Sequence, residues 1–186
     1  LYTDRDTAIA VTNGEIKLTD LAGFEGITTD TLKSSRITGV GDTITSTASY
    51  GAVELAKKSS EDTGAAGLTV DDNVTLTLSG MGDTAVNLVQ YADDKVAGVT
   101  LAGANSTLVT KGNGVIGAVT GQGIVNVAEN TLTVQGNLAA GEVSVDETAT
   151  LTIGEATTPY TVKVTNLTVD GAFNAAANTV EATNLK

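Results

Sequence analysis

The chain has 186 residues and a net charge of −12; 41% of its residues are apolar, but only 3% are aromatic, and cysteine and histidine are absent. This charge leaves no basic surface for nucleic acid and disfavours an anionic membrane surface. Without cysteine and histidine the chain lacks disulfides, thiol nucleophiles, the usual zinc sites and the commonest general base. We therefore expect a non-enzymatic protein without a cofactor, with calcium as the one ligand considered below.

The N-terminal part of the chain, residues 1–66, is predicted to form a cap or a small irregular β domain. Within it, the stretch "YGAVELAKKSSEDTGAAG" (50–67) predicts a short helix, because apolar residues precede a charged run and glycines follow it. We place the domain boundary near Gly64–Gly67.

Short β-type runs dominate residues 67–186, among them "VTLTL" (74–78) and "ATLTI" (149–153). Apolar residues alternate with Thr, Ser or Asn within these runs, and Gly, Asn or Asp typically occurs in the gaps between them. This period of two predicts short, half-buried strands. In such a chain Asn and Thr are expected to serve turns or stacked, hydrogen-bonded ladders.

One phrase occurs twice, as "NTLTVQGNLAAG" from Asn130 and as "TNLTVDGAFNAAAN" from Thr165. A short and nearly regular step between such phrases predicts the successive coils of a solenoid, because one coil cannot bury its apolar face alone. The leucines that set this step, at intervals of 19, 16 and 18, are Leu132, Leu151, Leu167 and Leu185.

These observations predict an all-β fold, a parallel β-solenoid with irregular coils of about 16–19 residues that continues in a longer native chain. Leu and Val would point inward, Thr outward, and Gly136 would turn a corner. The alternative is a β-sandwich, whose strands recur at similar intervals. The absence of tryptophan and the repeated phrase favour the solenoid.

Four carboxylates are candidate calcium ligands: Asp42 in "GVGD", Asp83 in "GMGD", and Asp71 and Asp72 in "VDDN". Calcium binds several carboxylate and carbonyl oxygens at once. The alternative is that Gly and Asp simply form turns at these places. Adjacent strand residues point to opposite faces, so the neighbouring Asp71 and Asp72 do not predict an acid/base couple, and no catalytic residue is proposed.

Over residues 68–186 the phrases "NVTLTLSG", "NTLTVQGNLAAG", "ATLTIGE" and "TNLTVDGAFNAAAN" resemble the passenger region of bacterial surface adhesins. These are large β-helical proteins exported by autotransporter or two-partner routes, including the rickettsial outer-membrane type. The resemblance implies an extracellular location at the bacterial cell surface and a role in a surface layer or in adhesion. Its partners would be copies of itself or host-surface macromolecules.

Two other functions remain open. The stretch "ASYGAVELAKKSSEDTGAAG" (48–67) is similar to a short repeat of phage tail fibres, which would imply a trimeric fibre that binds a host surface. Polysaccharide-cleaving β-helices resemble this chain in their stacked β-coils, but they place histidine, or arginine and lysine, beside clustered aspartates. This chain has no histidine and only two arginines, Arg5 and Arg36.

Overall fold

The computed structural model describes residues 36–40, 43–56, 67–80, 86–91, 96–154, 157 and 159–186. This part of the chain contains nineteen short β-strands and no helix, and therefore no helix long and apolar enough to cross a bilayer. In chain order the strands are β1 (Arg36–Val40), β2 (Thr43–Ile44), β3 (Ala48–Tyr50), β4 (Ala52–Ala56), β5 (Leu68–Val70), β6 (Thr75–Leu78), β7 (Val86–Asn87), β8 (Val89–Tyr91), β9 (Val99–Leu101), β10 (Thr107–Thr110), β11 (Gly114–Ile116), β12 (Val119–Gly121), β13 (Ile124–Val127), β14 (Asn130–Val134), β15 (Leu138–Val145), β16 (Ala149–Ile153), β17 (Thr161–Val169), β18 (Ala172–Asn174) and β19 (Thr179–Leu185).

The strands stack in parallel into three faces around one hydrophobic core. Face A consists of β2, β5, β9 and β12, followed by the N-terminal halves of β15, β17 and β19. Face B consists of β3, β6, β10 and β13, followed by the C-terminal halves of the same three strands. Face C consists of β7, β11, β14, β16 and β18. A separate three-stranded sheet contains β1, β4 and β8.

The alternation of apolar residues and threonine explains why these short runs are strands. In β14, Leu132 and Val134 are fully buried, whereas Thr131 and Thr133 are half-buried. Successive side chains of a strand point to opposite faces, so the leucine and valine enter the core and the threonines face outward. The predicted orientation of the repeated phrase is therefore confirmed, and Gly136 lies, as predicted, in the connection from β14 to β15.

Faces A and B meet at a corner inside the long strands. In β15 the alternation breaks at Gly141 and Glu142, which both lie outside the core, so buried positions resume only at Val143. A side chain on Gly141 would overlap the carbonyl oxygen of Gln122 in the preceding coil. In this coil the corner therefore needs a residue without a Cβ, whereas the equivalent positions of β17 and β19 are Thr165 and Thr183.

The predicted all-β parallel β-solenoid is confirmed. The β-sandwich alternative is wrong, because sandwich sheets are antiparallel and these strands pair in parallel. On face B, Leu108 pairs with Val125 and Val125 pairs with Val143, so these two coils have the predicted length. Other coils are longer than predicted, since Leu76 pairs with Leu108 and Val143 pairs with Leu167.

The series of four leucines is partly wrong. Leu132 does pair with Leu151 on face C, but Leu151 pairs next with Phe173. Leu167 belongs instead to face B, where it pairs with Val143 and with Leu185. The two copies of the phrase therefore lie on different faces. Any face accepts the same alternation, and the longer connection between β16 and β17 moves the second copy to another face.

The short helix predicted for residues 50–67 is wrong where the structure describes it, because Tyr50 ends β3 and Ala52–Ala56 form β4. The remainder of that stretch, residues 57–66, lies outside the described residues. On either side of it, β2 and β3 pair in parallel with β5 and β6. The N-terminal cap over residues 1–66 stays a prediction, since residues 1–35 also lie outside the described part.

Candidate functional site

Threonine forms a continuous column on the outer side of face A. Thr43, Thr69, Thr100 and Thr120 are register partners on β2, β5, β9 and β12. The hydroxyl oxygens of Thr100 and Thr120 lie 3.3 Å apart and share a hydrogen bond. The expected role of threonine in hydrogen-bonded ladders is therefore confirmed at this pair.

Face C carries a second group of threonines. On its outer side Thr131 pairs with Thr150, and Thr133 pairs with Thr152, so four hydroxyl groups occupy two neighbouring strands. Face B shows the corresponding asparagine pair, in which the Asn184 side-chain amide donates to the Asn166 side-chain oxygen at 2.8 Å. The outer faces are thus lined mainly by hydroxyl, amide and aliphatic groups.

Among the residues that the structure describes, most charged side chains lie at the turns between strands. Lys111 and Glu129 form an ion pair of 3.8 Å between faces B and C, with both side chains about half exposed; such a pair contributes little stability. On the outer faces described here, charge is confined to Glu142, Lys163 and Glu181. Lys163 and Glu181 occupy the positions on β17 and β19 that would continue the threonine column of face A.

A groove of about 300 Å³ lies beside Lys163 and Glu181, along the corner between faces A and B. In register, Ala139 of β15 pairs with Lys163 of β17, and Lys163 pairs with Glu181 of β19. Ala139 replaces threonine in the column and lowers the floor of the groove. The lining residues are Gln122, Ala139, Ala140, Lys163, Val164, Thr165, Glu181, Ala182 and Thr183.

The groove brings together a cation, a carboxylate, a carboxamide and two hydroxyl groups. Lys163 and Glu181 are exposed register partners, yet no ion pair joins them in the described structure. Both charges are therefore available to a ligand. Sequence reasoning missed this groove, because Lys163 and Glu181 belong to different strands and only the strand register places them side by side.

Two candidate calcium ligands, Asp71 and Asp72, lie in the turn between β5 and β6, which stacks on the turn between β9 and β10. One carboxylate oxygen of Asp72 accepts a hydrogen bond of 3.0 Å from the backbone N–H of Asn105. Its other oxygen accepts from the Asn73 side-chain amide, also at 3.0 Å. Asn105 in turn donates its side-chain amide to the Asn73 side-chain oxygen. Asp72 thus ties two successive coils together through their turns.

The other two candidates, Asp42 and Asp83, lie outside the described residues. Within the described part, no group of three or more carboxylate, histidine or cysteine side chains is placed to hold a metal ion. Calcium binding by the four aspartates stays a prediction. The alternative role, in turn formation, is observed for Asp71 and Asp72: Asp71 accepts from the Asp72 backbone N–H at 2.9 Å.

Comparison of the chain with protein-family models, with curated proteins and with solved structures finds no match.

Proposed function

We propose that the chain is a non-enzymatic structural and adhesive segment of a bacterial cell-surface protein. The observation that supports this most is the distribution of side chains on the solenoid. Its outer faces repeat hydroxyl and amide groups from coil to coil, as in the column from Thr43 to Thr120, and most charges of the described residues lie at turns. A repeated surface of this kind suits contact with an extended partner, because solenoids present long, continuous faces.

The resemblance of residues 68–186 to the passenger regions of bacterial adhesins supports the same role. On this view the protein acts outside the cell, and its partners are copies of itself or macromolecules of a host surface. The low aromatic content and the net charge of −12 are compatible with a soluble, extended surface layer, since like charges keep copies apart except where neutral faces meet.

Labelling of intact source cells with an antibody against this chain tests the proposal. We expect labelling without permeabilisation and loss of the label after brief treatment of whole cells with protease. A signal that appears only after permeabilisation would overturn a cell-surface role.

Light scattering on the purified chain addresses the phage tail-fibre alternative. A stable trimer would favour that alternative, whereas a monomer or dimer would exclude it. The polysaccharide-cleaving alternative would require new reducing ends after incubation with acidic polysaccharides, and we expect none to form.

A further inference from the structure

We infer that the groove beside Lys163 and Glu181 binds a neutral glycan chain that lies along the solenoid axis. The inference rests on the proposed function, because it names the partner class of an adhesive surface. The groove crosses three parallel strands, and neighbouring parallel strands lie about 4.8 Å apart. A polymer extended along the axis therefore passes over one groove residue of each strand, first Ala139, then Lys163, then Glu181.

The polar groups of the groove match a polyhydroxylated ligand. A lysine ammonium only donates hydrogen bonds and a carboxylate only accepts them, whereas carboxamide and hydroxyl groups do both. Gln122, Thr165 and Thr183 supply groups of this second kind on the corner side of the groove. Sugar hydroxyls likewise donate and accept, so each of the five groups can be paired.

The charges of the groove favour a neutral ligand. Lys163 and Glu181 carry opposite charges on neighbouring strands, so the site offers no net charge to an ionic group. The chain as a whole carries a net charge of −12, which repels an acidic polysaccharide. A cationic polymer would meet Lys163 beside Glu181, so the groove gives it no net electrostatic attraction either.

The floor of the groove explains where the apolar C–H groups of a sugar ring would rest. Ala139 contributes a methyl group at the point where β12 carries Thr120 and β17 carries Lys163. A methyl floor is smaller than the aromatic platform that strong sugar sites use. We therefore expect weak binding per groove, which becomes useful to a surface protein through many copies acting together.

A nuclear magnetic resonance titration of the isotope-labelled full chain tests the inference. The probes are cellohexaose, maltohexaose and laminarihexaose, with oligogalacturonate as the acidic comparison. We expect at least one neutral probe to give saturable shift changes at the backbone amides of Lys163, Thr165 and Thr183. The absence of saturable changes with every neutral probe, or saturation by the acidic probe alone, would overturn the inference.

Two variants locate the binding. Lys163→Met removes the ammonium donor from an exposed position, and Thr183→Val removes one hydroxyl from an exposed position. Each is expected to weaken binding by about tenfold, the effect of one or two lost hydrogen bonds. Lys111→Ala, at the ion pair with Glu129, is the control and should leave the dissociation constant unchanged. Equal affinity for the original chain and both groove variants would contradict the assignment.

Glycan binding by the groove and exposure of the chain at the cell surface can be tested independently. Surface labelling of intact cells together with no glycan binding would remove the groove assignment alone. Glycan binding together with a signal confined to permeabilised cells would remove the cell-surface role and leave the groove assignment standing.

Discussion

Thr110 lies in register with Val127, so a hydroxyl group occupies a core position where the neighbouring coils carry aliphatic side chains. Thr110 is fully buried, and its hydroxyl oxygen has no hydrogen-bond partner within the described structure. A buried, unsatisfied hydroxyl is unfavourable, and valine has nearly the same shape. We expect Thr110→Val to raise the free energy of unfolding by about 1 kcal/mol, measured by urea denaturation.

Thr77→Val is the matched control for this substitution. Thr77 is half-buried and points outward on the same face, where water can solvate its hydroxyl, so the free energy of unfolding should change little. A destabilised Thr110→Val variant would show that the hydroxyl makes a favourable contact.

The backbone of Gly121 predicts a severe effect of adding one methyl group. Its φ is +131°, a conformation that side chains rarely adopt, and a Cβ would overlap the carbonyl oxygen of Leu101. We expect Gly121→Ala to cost about 1–3 kcal/mol from the backbone conformation alone, and more from the overlap. Thermal unfolding followed by circular dichroism would measure this loss.

Gly154 provides the comparison, because the nearest atoms to its hypothetical Cβ lie 3.3 Å away. Gly154→Ala should therefore lower the unfolding temperature much less than Gly121→Ala does. Equal losses for the two variants would mean that the close approach between the β9 and β12 coils is not what requires glycine.

Two leucines that differ in burial should lose different amounts of stability when they are truncated to alanine. Leu132 is fully buried on face C, whereas the Leu185 side chain on β19 is 74% exposed. We expect Leu132→Ala to cost about 2–5 kcal/mol, the usual result of a cavity in a core. Leu185→Ala should cost less than about 0.5 kcal/mol. Chemical denaturation of both variants would measure the difference, and similar losses would contradict the assigned burial.

These leucines also show how far sequence reasoning reaches. The alternation of apolar residues and threonine predicts that Leu132 and Leu167 point inward, because this pattern is local. It cannot predict that the two residues lie on different faces, because face assignment depends on the lengths of intervening connections and on corners such as Gly141. The groove was unpredictable for the same reason, since only the register brings Lys163 beside Glu181.

The turn network around Asp72 predicts a loss of stability that does not depend on calcium. Its carboxylate accepts hydrogen bonds from Asn105 and Asn73, which join two coils. We expect Asp72→Ala to lower the free energy of unfolding by about 1–2 kcal/mol in the presence of either EDTA or calcium. Thermal scans under both conditions would measure it. A loss that appears only with calcium present would instead support the predicted metal site.

The burial of Tyr50 predicts a loss of stability at alkaline pH. Burial removes its phenol from water and raises the pKa of Tyr50 from 10.0 to about 12. Above about pH 10 the unfolded chain releases this proton while the folded chain retains it, so ionisation lowers the free energy of the unfolded state relative to the folded state. The contribution is fully present below pH 10 and is lost as the pH rises towards 12, by about 2–3 kcal/mol at most.

Urea denaturation of the original chain and of Tyr50→Phe between pH 9 and about 12 isolates this contribution from that of the lysines. We expect the difference in unfolding free energy between the two proteins to shift over this range in favour of Tyr50→Phe, since phenylalanine has no proton to release. Parallel curves for the two proteins would show that Tyr50 ionises as readily in the folded chain as in the unfolded one. Tyr50 pairs in register with Leu78, which in turn pairs with Thr110. Parallel curves would therefore mean that water reaches this part of the core.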